Sequence, residues 1–547
     1  MICERDRTPL YWQTYNRQRD VSPKRSPIMM TIYEKESLFE SVEDQFCSLK
    51  TYLEEAISRE EIHVVEGEVF RQLQRIGLGL LEAFVALSGT GYESGIALFT
   101  EDGRPMKYKG IKKEASPYLS IFGELRIYRA SYAHPDGGRV YPIDGQLNLP
   151  ENKYSYLLLK WLQASSADQD FRSAVERFNE IFDFSLFPEV PHRQGLSIGE
   201  YVEPFYEQVE APPAETEGSH MALSADCKGV RILKREREEA KEAAGAKPRR
   251  DKGEKPGIKK DAVVVTDFSF TPEARDSKEI VKGLLNQFTE KEKAEAKKDL
   301  QDRREEGILA PREPRNKHVF ATLNGKKAAF EHLLDHLQKR DPEGQKPLIA
   351  LVDGELALED RLLEELEARH LKHRLDALIL DIIHASEYLW DVGTTLYGEK
   401  TSKRIRWVEE KLYDLLNGKV GTLIGGLRQM LTKKQDQLTK TQKKALKKTI
   451  TYFDNHKHMM HYDVYLKKGY PIATGVVEAT CGSLVKNRME QSGMRWSING
   501  AQAVLNQRAV VKNGDWNDFF TYYIDSERQR RYPTLYDKGT PAYQKAA

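Results

Sequence analysis

Cysteine is scarce in this chain of 547 residues. The four present, Cys3, Cys47, Cys227 and Cys481, are scattered and form no Cys-x-x-Cys pair. That spacing argues against a zinc ribbon and a disulfide scaffold and fits a reducing cytoplasm. Long apolar runs are missing too: none reaches the roughly 18 residues of a membrane span, so no membrane partner is expected. No apolar stretch follows the first charges, which excludes a signal peptide. Nor is one sign of charge in excess, since 85 Lys and Arg stand against 84 Asp and Glu. The total therefore lends nothing to nucleic-acid binding, and any basic surface must come from local clustering.

What is present divides the chain into stretches of different texture, enough for about two to four domains. Residues 1–36 are polar, basic and aperiodic and read as a disordered or mis-annotated tail, with Met29 or Met30 an alternative start. Residues 37–150 read as two helices followed by strands. The second helix carries Val65, Phe70, Leu73, Ile76, Leu80 and Phe84 on one side, a core or dimer face. The strands YLSIFGELRIYRASYAHPDGG alternate and meet an Asp-Gly-Gly turn, which predicts a hairpin. Its Arg126, Tyr128, Arg129 and Tyr132 fit DNA or an ordinary half-exposed sheet equally well. Residues 151–212 turn helical, and a helix-turn-helix with His192, Arg193 and Gln194 at the reading end competes there with a plain bundle.

From residue 217 strands and helices alternate. The expected strands are HMALSADCKGVRILK, KKDAVVVTDFSF, KHVFATLNG, the run ending at Asp353 and the run ending at Asp381, with a solvated charged loop over 234–260. Three strands, helix, strand, helix, strand is the RNase H-like arrangement: a mixed sheet that begins with an antiparallel hairpin. The acids gain meaning from this placing. Asp226 lies inside an apolar strand and Asp353 at the end of one, where a carboxylate is costly unless paired or bound to a cation. Strand ends converge on one rim of a sheet, where ligand sites form. The bland alternatives are a satisfied core acid for Asp226 and an Asp-Gly turn for Asp353. Asp381 and His384 form an Asp-x-x-His at a strand-to-helix junction, and there the Asp is equally a helix cap.

Residues 390–470 read as a helical insertion. Between 429 and 450 seven lysines stand against one aspartate, so Lys443, Lys444, Lys447 and Lys448 could neutralise DNA phosphates or simply be solvated. In residues 471–520, Val477, Cys481, Leu484 and Val485 recur at helical spacing, with Glu478 an inward carboxylate. Lys486, Arg488, Arg495 and Trp496 follow, cations suited to phosphate and an aromatic that packs on a base or in the core. If the Glu478 helix covers the same rim, three carboxylates can hold two Mg²⁺ ions about 3.5–4 Å apart for phosphodiester chemistry. Residues 521–547 read as a tail.

These residues carry a resemblance. ALSADCKGV, KKDAVVVTDFSFTP, IALVDGE, LILDIIHASEYLW, WVEEKLYDLLNGKV, GVVEATCGSLVKNRMEQSGMRWSINGAQAVLNQRA and NGDWNDFF occur in order over about residues 220–520. Together they resemble the DDE transposases of the ISKra-four group of bacterial insertion sequences, in the Mutator-like superfamily. FGELRIYRASYAHPDGG and YPIDGQLNLP extend the likeness toward the N-terminus. The resemblance implies a multidomain α+β protein: a helical and β-hairpin N-terminal DNA-binding region and an RNase H-like core (217–389 and 471–520) interrupted by the insertion. It implies that Asp226, Asp353 and Glu478 are the catalytic and metal-binding triad, with Asp381 and His384 auxiliary. It implies Mg²⁺ or Mn²⁺, two ions, element-end and target DNA as partners, a homodimer or higher oligomer, and work at the bacterial nucleoid. Which of Asp353 and Asp381 is the second metal ligand stays open. The sequence departs from the group's pattern in IATGVVE before the Glu, in Glu490 where lysine is common, in QRA for LRA, and in NGDW. A metal-dependent nuclease that cuts without joining, or a non-catalytic DNA-binding descendant, would carry much of the same pattern.

Overall fold

The structure, a computed structural model, describes residues 32–92, 96–100, 103–236, 259–305, 313–434 and 436–532, with three short strand pieces after them. Most of the expected tail and of the charged 234–260 loop lies outside the described residues. Of Glu478 only the backbone is described. The chain is mostly helical with a mixed sheet, and its contacts divide it into two units, residues 1–158 with 527–547, and residues 159–526.

The smaller unit holds two long helices, Ile32–Ala56 and Ile62–Leu87, and two hairpins. The Asp-Gly-Gly turn joins Ala130–Ala133 to Arg139–Val140, as its turn chemistry predicts. A tighter hairpin, Ser116–Ser120 with Gly123–Ile127, turns at Ile121-Phe122 and was not read from the sequence. On the second helix Phe70, Leu73, Leu80, Phe84 and Leu87 are exposed at heptad spacing. Gly77 fills the remaining place in that row, and the Phe122 ring lies where its Cβ would be, 2.5 Å away.

The larger unit is built on a five-stranded sheet: β1 His220–Arg231, β2 Lys259–Phe270, β3 Arg315–Thr322, β4 Leu348–Val352 and β5 Leu375–Leu380. Its order is β5-β4-β1-β2-β3, with β1–β2 and β2–β3 antiparallel and β1–β4 and β4–β5 parallel. Residues 262–270 of β2 are all buried, as expected of a central strand covered on both faces. The period-two alternation sends Met221, Leu223, Ala225, Val263 and Val265 to one face. There they meet Phe330, Leu333, Leu334 and Leu337 of helix α1 (Lys326–Arg340) and Leu358, Leu362 and Leu366 of α2 (Leu356–Ala368). Each such Leu or Phe, buried, contributes about 1.5–3 kcal/mol relative to exposure.

Two apolar groups share the opposite face. Near β4 and β5 lie α3 (Ile382–Tyr397), the helices Ser402–Leu416 and Val420–Lys433, and α4 (Lys440–His456). Over β1–β3 lie the Cys481–Met489 segment and α5 (Ile498–Asn513). The expected boundary between 389 and 390 falls inside α3, and the insertion's apolar side chains join those of β4 and β5 in one core. The break expected at 520/521 likewise falls inside the Trp516–Arg531 helix.

Over 151–212, where the sequence leaves both a helix-turn-helix and a plain bundle open, one side of the possible helix-turn-helix is taken up by packing. Its reading helix, Glu189–Gly199, packs on α5, where Gln507 donates to Gly195 O at 2.9 Å and Asn506 to Gly199 O at 3.2 Å. His192 lies within that contact, its ring against Phe171, while Arg193 is exposed. Residues 159–208 therefore belong to the body of the sheet unit.

Candidate active site

The strand pairing sets up the site. β4 pairs with β1 from Leu348↔Met221 to Leu351↔Ser224 and ends at Val352. β1 runs on, paired only with β2 on its other side, Asp226 opposite Val264. Asp226 thus lies just past the end of β4, where the chain turns through Asp353. Asp226 is half-buried, and its Oδ1 accepts the Cys227 N–H at 2.6 Å. Asp353 is half-buried, and its Oδ1 accepts the Glu355 N–H at 2.8 Å. The turn needs Gly354 at φ +90°, a conformation that side chains disfavour.

The charge of Asp226 acts on Asp353. Burial raises the Asp353 pKa, and the charge of Asp226 raises it further, against the opposing Glu355 N–H and His384. The helix Gly475–Thr480, which bears Glu478, packs on β1 and β2 and widens into a π turn over Cys481–Lys486. Cys481 brings that turn to Asp226: burial, the Asp226 charge and a hydrogen bond to its carboxylate push the thiol pKa up. Cys227, on the neighbouring position, is pushed up to about 12, chiefly by burial. Neither thiol is poised as a nucleophile.

A cavity of about 520 Å³ opens beside Asp353, lined among others by His384, Glu387, Tyr388, Lys448 and Tyr452. His384 lies 3.6 Å from Glu387. Asp381 is elsewhere in character. It is 0% exposed, caps α3 by accepting the Ile383 N–H at 2.8 Å, and accepts the Thr474 hydroxyl on its other oxygen. With both oxygens engaged it is a cap and a strut, and Asp353 is the acid that borders the cavity.

The expected phosphate contacts separate in the same way. Lys486 and Arg495 are exposed. Arg488 is fully buried, its guanidinium 4.9 Å from both the Phe171 and Trp496 rings, and its Nε donates to Ser166 O at 3.1 Å. Burial, and then repulsion from Arg508, lower its pKa to about 10, so it stays charged. Trp496 is buried, and its Nε1 donates to Met489 O at 3.2 Å. Arg488 is thus corrected from a DNA contact to core, and of the two readings of Trp496 the core one holds: two aromatic faces and the Ser166 carbonyl supply part of what water would have given the cation. Glu490 pairs with Lys259 at 2.7 Å, which lowers its pKa.

Lys443, Lys444, Lys447 and Lys448 line a groove of about 670 Å³ along α4, and Lys448 is shared with the cavity beside Asp353. Arg126, on the tight hairpin of the other unit, is exposed and 3.5 Å from Glu124. The sequence reading missed Tyr452, whose hydroxyl donates to Asp353 O at 2.8 Å, and Thr474. Both lie about a hundred residues or less from their partners with no periodic signal linking them; only the insertion's helical spacing hinted that α4 had an inward face.

Among the described residues no three His, Cys, Asp or Glu side chains are gathered as a metal site. The Asp226–Asp353 pair still fits a hard divalent cation, since both donors are carboxylate oxygens and a cation would relieve their repulsion. No family model matches the chain, and no curated protein matches it.

Proposed function

We propose that the chain is a DDE transposase with an RNase H-like core, cutting DNA at the ends of an insertion sequence and joining them to target DNA at the bacterial nucleoid. One observation carries the reading: Asp226 and Asp353 lie at the same end of paired strands, the charge of Asp226 acting on Asp353, beside the helix that bears Glu478. The strand order, three antiparallel strands followed by two parallel ones added beside the first, supports the fold assignment.

In this reading Asp226, Asp353 and Glu478 hold two Mg²⁺ or Mn²⁺ ions, which when bound supply an activated water and charge stabilisation for the leaving oxygen. The chain's own residues do the rest. The α4 lysines, with Lys486 and Arg495, hold backbone phosphates, and His384 borders the scissile strand. Hydrolysis breaks the P–O3′ bond and leaves a 3′-OH. That hydroxyl, kept in the same site, then attacks a target phosphodiester, forming one P–O bond and releasing another. Asp381 acts by fixing the start of α3.

The test is divalent-dependent cleavage of DNA carrying the gene's flanking ends, followed by joining of a pre-cut 3′-OH end. Cleavage and joining should fall at least about a hundredfold in Asp226→Asn and Asp353→Asn, as expected when transition-state charge stabilisation is lost. Cleavage without joining would make the protein a nuclease, and DNA binding without either would make it a non-catalytic relative.

The second partner we propose is another copy of this chain, along the Phe70–Leu87 row. Five exposed side chains there plus Phe122 offer about 500 Å² per copy, close to the lower limit for a specific two-fold interface. Leu73→Glu with Leu80→Glu should turn a dimer into a monomer in light scattering. A wild-type monomer at tens of micromolar would end this proposal.

A further inference from the structure

Asp353 stands on a turn with little to hold it. β4 has ended, Gly354 is in a left-handed conformation, and the carboxylate's N–H bond from Glu355 is local to the turn. What reaches in from outside is Tyr452, 99 positions later on α4. Its hydroxyl donates to the Asp353 carbonyl at 2.8 Å and lies 2.6 Å from where a Cβ on Gly354 would be. The ring is itself fixed. It stacks on Tyr388 of α3 at 3.8 Å and 11°, and His456 packs at 4.5 Å, its Nδ1 2.7 Å from Tyr452 O. Lys448 lies over the Tyr388 ring at 4.7 Å. A column of four side chains from two helices thus ends on the backbone of one carboxylate. Burial first, and the neighbouring Tyr388 and acids next, raise the phenol's pKa, so it remains a donor at any physiological pH.

We infer that Tyr452 is a positioning residue for Asp353: its hydroxyl, held by the Tyr388 stack, sets where the carboxylate stands for a divalent cation. The inference rests on the metal-site reading above. It makes the helical insertion part of the metal site's support, because α4 both carries the lysine groove and anchors this turn.

The test is Mn²⁺ binding by the full chain without DNA, followed by electron paramagnetic resonance, in wild type, Asp353→Asn and Tyr452→Phe. Tyr452→Phe removes one hydroxyl and keeps the stack. Its Mn²⁺ affinity should fall about three- to tenfold, the range of one supporting hydrogen bond, with DNA affinity unchanged and the melting temperature lowered by no more than about 2–4 °C. The Mn²⁺ concentration that half-saturates cleavage should rise by the same factor, with kcat at saturating metal near wild type. Tyr388→Leu, which loosens the stack and leaves the hydroxyl, should give a smaller shift and serves if Tyr452→Phe does not fold. Unchanged affinity in both variants, with Asp353→Asn losing Mn²⁺, would overturn the role of Tyr452 and leave the metal site standing. A wild type that binds no Mn²⁺ would overturn both.

Discussion

Asp353 and Asp381 end neighbouring parallel strands, each just before a helix, and in sequence they look alike. The Asp381 N–H even bonds to Val352 O at 2.8 Å, so the two turns lie side by side. Their surroundings differ. Asp381 is closed in, with one oxygen on the Ile383 N–H and the other on the Thr474 hydroxyl. Asp353 takes a local N–H, borders a cavity and is pressed by the charge of Asp226. An acid whose oxygens are all engaged by the protein holds the protein together, whereas an acid placed beside another acid is suited to a ligand. Strand-end position alone does not decide between them; a partner 93 residues away does.

The difference is sharpest in stability. Asp381→Ala removes the cap and strands the buried Thr474 hydroxyl, and should cost about 2–4 kcal/mol in urea unfolding. Thr474→Val, which removes a single partner, should cost about 1–2 kcal/mol. Asp353→Asn should leave the midpoint nearly unchanged while abolishing cleavage. Equal losses of stability at the two positions would erase the distinction.

A smaller effect tests the raised pKa of Asp353. Asp353 has a raised pKa in the folded protein, so between its unfolded value of 3.8 and its folded value the native state binds more protons than the unfolded one. Stability from this group is therefore lost as pH rises through that window. Without divalent ions, Asp353→Asn should match wild type near pH 3.5 and be slightly the more stable at pH 7. Differential unfolding of the two proteins across that range reads it, and a wild type more stable than the variant at pH 7 would contradict the raised pKa.

The strands were legible because each is a nearly continuous apolar run, and the two acids because a carboxylate in such a run is conspicuous. Arg488 was misread for a related reason: a cluster of basic residues looks like a phosphate site when only charge is counted, and the rings that bury this one include Phe171, over three hundred residues earlier. The helices of 159–208 have the lengths of a recognition motif, and only their packing on α5 shows that one side is taken. The Ile121-Phe122 turn escaped notice because neither residue is a turn former, the burden falling on Gly123 at φ +135°.

The buried arginines have one more consequence. Arg488 bonds to the carbonyl of Ser166, and Arg508 to those of Ala167, Ser483 and Leu484, so two segments over three hundred residues apart are sewn together main chain to side chain. Between them the chain passes through an exposed stretch, residues 210–216. A protease that nicks that stretch would cut the polypeptide without dividing the molecule: the fragments would run apart in denaturing gels and travel together in native ones.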